Sequence, residues 1–225
     1  MENLWITFLA FRPTLIEGLL DTMYMTFSSV VMAYVIGLPM GVMLVTTTPD
    51  GLMPNRPINR ILGMIVNVVR SIPFIIMIVI LIPLTRIIVG TSIGSTAAIV
   101  PLVIAAAPFV ARMVETALNE LDTGVVDAAK SMGASNMQII LKVMLPESIP
   151  SLVRGFAITT INLISLSAMA GAVGAGGLGR IAIRYGYQRF QTDLMFITII
   201  FIVAIVAIVQ LTFNLLAKKI DHKIT

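Results

Sequence analysis

The residue types able to do chemistry are few in this chain, and most stand where chemistry is hard to build. Of 225 residues one is a histidine, His222, and none is a cysteine, which excludes a thiolate site or a zinc centre of the usual kind. His222 sits in a basic tail with Lys218, Lys219 and Lys223; it reads as a solvated side chain, and no serine–histidine–aspartate relay can form away from it. No G-x-x-x-x-G-K-[ST] run occurs, so the chain carries no phosphate-cradling loop and no apparent means to hydrolyse ATP. Gly174, Gly176 and Gly179 do fit G-x-G-x-x-G, with Asp193 downstream as a ribose-binding acid would be. A dinucleotide site needs a strand before those glycines. Here they end an apolar run, which points to close helix packing or to a bent backbone shielded by protein.

What remains is a wet, charged island, residues 112–154. Arg112, Lys130, Lys142 and Arg154 stand against Glu115, Glu120, Asp122, Asp127 and Glu147. So charged a segment cannot rest in hydrocarbon and must project into water between apolar spans. Val125, Ala128, Ala129 and Met132 recur at i, i+3, i+4 and i+7, and Met137, Ile140, Leu141 and Met144 repeat that interval, so two short amphipathic helices are expected. Gly133 suits the left-handed position after the first, Ser135 with Gln138 has capping-box spacing for the second, and Pro146 should stop it. A helix-turn-helix DNA reader shares the paired alanines and the glycine, but phosphate binding needs a basic excess that this island lacks. Docking to a protein is the better reading.

The elements that must hold the island are membrane spans. Charged residues make up 12% of the chain against roughly 25% in soluble proteins, and the mean hydropathy is +1.01. Five apolar runs are expected to cross the bilayer, at 22–48, 61–85, 87–111, 155–179 and 194–217. Residues 5–20 are broken by Arg12, Pro13 and Glu17 and read as an interfacial segment; residues 1–11 lack the basic start of a cleaved signal peptide. Gly37 and Gly41 have the spacing for close helix approach, with Pro39 as a possible kink. Arg70, just before Ser71 and Pro73, would be a functional candidate if it lay mid-span; the favoured reading is that it snorkels to the headgroups from a stretch that enters the membrane only near Ser71. Arg86 marks one connection, and Arg180, Arg184, Arg189 and Asp193 mark a loop. With the island in the cytoplasm, that side collects nine basic residues and the other five, which favours the N-terminus outside and the C-terminus inside.

Spans 1, 3, 4 and 5 hold no charged side chain, whereas proton-driven carriers need such groups as relays. An ATP-independent channel or a secondary carrier using backbone carbonyls stays open as the other class, separable by flux without ATP. Hydroxyls in membrane helices commonly bond to their own backbone. Asn162, Ser165 and Ser167 nevertheless fall within two turns, and the expectation is that they border a polar translocation path together with a second copy of the chain.

The order Asp127-Ala128-Ala129, three residues, Gly133, nine residues, Val143-Met144-Leu145-Pro146 resembles the EAA loop of bacterial ABC importer permeases, E-A-A, x3, G, x9, I-x-L-P. Asp127 replaces the glutamate and Val143 the isoleucine, both with like chemistry. Residues 70–115 and 171–190 also resemble the permease subunit of methionine ABC importers. The resemblance implies an all-α membrane protein of five transmembrane helices with a cytoplasmic coupling-helix loop, forming one permease domain over 1–225. It implies that Asp127, Ala128, Ala129, Gly133, Leu145 and Pro146 couple the chain to an ATPase. It implies a homodimer with two ATP-binding cassette subunits, which bind the ATP and Mg, and an external substrate-binding lipoprotein. No cofactor in this chain, no enzyme activity and no nucleic acid are implied; lipid surrounds it. The function implied is import of L- or D-methionine and related amino acids across the bacterial cytoplasmic (inner) membrane. A permease for another small solute is the alternative within the same class.

Overall fold

In hydrocarbon a chain with so few charges can satisfy its backbone only through helices or a closed barrel. The computed structural model describes residues 2–220, and every regular element among them is helical; His222 and Lys223 lie outside the described residues. The first helix, α1 (Glu2–Thr46), has 45 residues, about 67 Å at 1.5 Å per residue and twice the roughly 30 Å apolar layer. The interfacial segment expected at 5–20 is instead the first half of this helix. Leu15 is fully buried, Phe8 stacks on Phe201, and Phe11 meets Tyr185 edge-on. That packing carries the helix through Pro13, while Arg12 and Glu17 point outward.

The second half of α1 lies along α5 (Ser95–Asn119). A Cβ on Gly37 would stand 2.5 Å from the Ala107 carbonyl oxygen, and one on Gly41 2.6 Å from that of Ala111. The close approach expected from their spacing is therefore real, and backbone meets backbone along the seam.

Between them the second span is broken. The amphipathic helix α2 (Arg56–Ser71) is bent by 103° from α3 (Phe74–Ile80), and α4 (Ile82–Val89) follows. Pro73 caps α3 at the bend, and Arg70 lies exposed in the last turn of α2. The next boundary is shifted from expectation. The span runs on to Val89 and the following one begins at Ser95 rather than 87, ending at Asn119 rather than 111. Arg86 is no connection: it sits in α4 and donates to Ser92 Oγ at 3.2 Å. The chain turns instead at Gly90 and Gly94, whose φ of +83° and +100° glycine adopts without strain.

The fourth span, α9 (Ile149–Ala172), starts before 155 and stops before 179. The glycine-rich stretch turns at Gly174 and Gly177, both at positive φ, and returns as α10 (Gly177–Ile181) followed by a π-helical stretch (Ala182–Tyr187). Gly179 rests against the backbone of Ala168, and Gly171 against Gly179 and Arg180. Residues 180–187, expected as loop, are thus helical, and the shielded bent backbone is what these glycines provide. The last span, α11 (Thr192–Ile220), contains the expected 194–217. Four helical segments are long and apolar enough to cross a membrane, and the bent pair counted as one broken span brings the number to five by length and composition. Tyr34, Phe156 and Phe213, with ring centres 5.0 and 5.1 Å apart, tie α1, α9 and α11 together.

Candidate functional site

The island folds as a knob between α5 and α9. Asp122 caps α6 (Thr123–Ser131), accepting from Gly124 N at 2.8 Å. Gly133 ends it at φ +76°, with Gly133 N donating to Lys130 O and Ala134 N to Ala129 O, the left-handed stop the sequence suggested. Ser135 opens α7 (Asn136–Ile139) with a complete capping box: Ser135 N donates to Gln138 Oε1 at 2.8 Å, and Gln138 N to Ser135 Oγ at 3.4 Å. Pro146 does not stop the helix. A π-turn (Ile140–Met144) precedes it, Leu145 N donates to Ile140 O, and the path continues through α8 (Leu145–Glu147). Widening the turn re-routes the ladder that a proline, lacking an N–H, would otherwise leave incomplete.

The structure divides the six coupling candidates between two sides. Ala129 is 4% exposed and packs into the main core with Ile139, Ile140 and Met144, and Leu145 lies half-buried beside it. Asp127, Ala128, Gly133 and Pro146 face outward; Asp127 reaches Lys130 at 3.4 Å, an exposed pair worth under about 1 kcal/mol. The periodicity did not separate these sides. Val125, Met132, Met137 and Leu141 are exposed by 41, 81, 58 and 56%, and no described part of the chain covers them. The knob is bound to the bundle by Asn136 Nδ2 donating to Leu52 O at 2.8 Å, Ser148 Oγ to Ala117 O, and Ser151 Oγ to Glu120 Oε2. A push on it therefore reaches the α1–α2 connection, α5 and α9 together.

The three pathway candidates are also split. Asn162 and Ser165 lie on a stripe of α9 with the exposed Ile158 and Met169, whereas Ser167 is 2% exposed and donates to Ile164 O at 2.7 Å. Ser165 Oγ also turns to its own helix, to Ile161 O at 3.4 Å. In this cysteine-free chain, a cysteine at Ser165 is expected to react with an aqueous thiol reagent well over tenfold faster than one at Ser167, measured by labelling rate in membranes. Equal rates would remove the stripe from consideration.

A further polar junction escaped the sequence. Asp21 Oδ2 accepts from Gly177 N at 3.3 Å and Thr22 Oγ1 from Leu178 N at 2.9 Å, so α1 caps the start of α10. Gly176 fits between Ser95 and Asp21. Only Asp21's position next to an apolar run hinted at this. Asp21→Ala leaves the Gly177 N–H without its acceptor and is expected to cost about 1–3 kcal/mol, read as a lower thermal aggregation midpoint; Asp21→Asn, which keeps an acceptor, should restore most of it.

Comparison with known proteins agrees with this architecture. Residues 33–225 match the family described as binding-protein-dependent transport system inner membrane component. The chain is 49% identical over 203 residues to the probable D-methionine transport system permease protein MetI of Vibrio cholerae, covering 90% of both chains. It is 46% identical over 181 residues to the methionine import system permease protein MetP of Bacillus subtilis, covering 80% of this chain and 82% of that one. Among solved structures, a chain from inward-facing conformations of the MetNI methionine ABC transporter superposes with a TM-score of 0.93 at 47% identity, over 95% of this chain and 99% of that one. A chain of an amino acid ABC transporter shares the fold alone, with a TM-score of 0.74 at 23% identity over 97% and 98%. A match over residues 33–225 and 49% identity over 90% of the chain show the family: the chain belongs to the inner membrane components of binding-protein-dependent transport systems.

Proposed function

We propose that this chain is the permease subunit of an ATP-driven importer and carries methionine, as the L- or D-isomer or both, across the bacterial inner membrane. The observation that carries the reading is the knob's uncovered apolar face, Val125, Met132, Met137 and Leu141, on a segment hydrogen-bonded to the α1–α2 connection and to α5. Exposed aliphatic and thioether side chains rimmed by charge are the composition of a docking surface. The occupant is an ATP-binding cassette subunit, one for each of two copies of this chain, and it holds the ATP and Mg. Asp127, Ala128, Gly133 and Pro146 form the outer part of that contact, with Ala129 and Leu145 seating it on the bundle. The knob lies in the cytoplasm, which puts the C-terminus inside and the N-terminus outside, and an external binding lipoprotein delivers substrate. Chain 1–225 acts as one permease domain.

ATP binding closes the paired ATPases, the knobs move with them, and the helices rock to open the path to alternate sides. The stripe of Asn162 and Ser165, opposed by its copy, borders that path. Methionine follows from the 46–49% identical relatives named for it. The test is uptake into vesicles holding this chain with its ATPase and binding protein. ATP-dependent accumulation of labelled methionine, competed by unlabelled methionine in preference to other amino acids, is the expected result. Accumulation of another solute with no methionine uptake would overturn the substrate assignment, and uptake indifferent to the ATPase would overturn the class.

A further inference from the structure

The broken second span leaves a helix whose surface the transport reading does not use. In α2, Arg56, Arg60, Asn67 and Arg70 are spaced by 4, 7 and 3 residues and share one face; Ile58, Ile61, Ile65 and Val68 share the opposite one. The helix is held side-on against the bundle. Val66 is fully buried against Leu44 and Ala111. Asn59 Nδ2 donates to Leu44 O at 2.7 Å near the end of α1, and Arg112 Nη2 donates to Asn67 Oδ1 at 2.8 Å. The 103° bend at Pro73 then turns the chain away into α3.

Two features of α2 have no partner in the described chain. Among the described residues no ion pair reaches Arg56, Arg60 or Arg70, and all three are exposed. Ile58, Ile61, Ile65 and Val68 are 41 to 60% exposed. Unpaired guanidinium groups on one side of a helix and bare aliphatic side chains on the other call for an amphiphile with an anionic head. We propose that α2 is a binding site for anionic phospholipid, with Arg56, Arg60 and Arg70 on the phosphate oxygens and the aliphatic face in the acyl boundary. Guanidinium donors match phosphate two at a time, and each basic residue near an anionic surface gives roughly a fivefold preference. Asn67 lies on the same polar face and holds Arg112 of α5, the helix that leads into the knob, so the lipid also fixes the geometry at that joint.

The test is lipid retention, which involves no transport and stands apart from the substrate assignment. The full chain with its ATPase is extracted in mild detergent from vesicles of equal parts phosphatidylglycerol and phosphatidylcholine, and bound lipid is measured by mass spectrometry. Wild type is expected to retain phosphatidylglycerol at least about tenfold over phosphatidylcholine, three arginines at the per-residue preference above being discounted for exposure. R56Q/R60Q/R70Q should lose most of that enrichment, R184Q/R189Q should lose none, and added inorganic phosphate should not displace the lipid. If the triple variant fails to assemble, R60Q and R70Q singly should each reduce the enrichment by a few fold. Equal retention of both lipids by wild type, unchanged enrichment in the arginine variants, or displacement by free phosphate would overturn the proposal.

Discussion

Replacing Gly37 and Gly41 together by valine is expected to abolish assembly of the bundle. Each new Cβ would meet a backbone carbonyl oxygen, of Ala107 and Ala111, at 2.5 and 2.6 Å, with Val110 and Val114 close behind. A flexible side chain could swing aside; a carbonyl inside α5 cannot move without shifting the helix. Overpacking one rigid site costs about 1–3 kcal/mol or more, and here two sites one turn apart push the same pair of helices away from each other. Two such sites put about 2–6 kcal/mol at risk, a large share of the roughly 5–15 kcal/mol by which a folded chain is stable. The expected result is loss of a monodisperse peak on size exclusion after mild detergent extraction, with G41A intermediate. A double variant that elutes and melts as wild type would show that the α1–α5 seam does not hold the fold.

Gly133→Val acts by a different cause and should leave the bundle intact. Gly133 has φ +76° and nothing within 4 Å of where a Cβ would stand. The penalty is therefore conformational, about 1–3 kcal/mol for a non-glycine residue held in a sparsely populated region, and a β-branched side chain lies at the upper end. The turn between α6 and α7 relaxes, and Met132 and Met137 on either side of it lose their fixed relation. ATP-coupled uptake is expected to fall by tenfold or more while extraction and elution stay normal. Gly133→Asn, a residue that enters the left-handed region readily, should recover much of the uptake. Normal uptake by Gly133→Val would mean that the shape of the knob is not what couples.

These two glycine effects were legible in the sequence to different depths. The spacing of Gly37 and Gly41 and the capping signals at Gly133, Ser135 and Gln138 are local patterns with one geometric meaning, and each is found where it was expected. Boundaries read from charge failed. Arg86 lies in the last turn of α4 and donates to Ser92 in the turn just beyond it, and Arg12 and Glu17 tolerate a continuous helix because only one of its sides is packed. Pro146 does not end the helix, because a π-turn absorbs the missing donor. The sides of the knob were hidden for a related reason. Ala129 and Met132 fall near one another on a helical wheel, and which of them meets the core depends on the angle at which α5 delivers the chain. Asp21's contact with Gly177 spans 156 positions, which no local pattern announces.

The central claim is that this chain makes no energy of its own and moves its solute only when an ATPase works on the knob. It is tested most directly by labelled methionine uptake into vesicles containing the chain and its binding protein, with and without the ATPase and ATP. Accumulation against a gradient is expected only when both are present, and at a rate lower by tenfold or more when Gly133→Val replaces wild type. Accumulation or rapid equilibration at the full rate by the chain without the ATPase would contradict it.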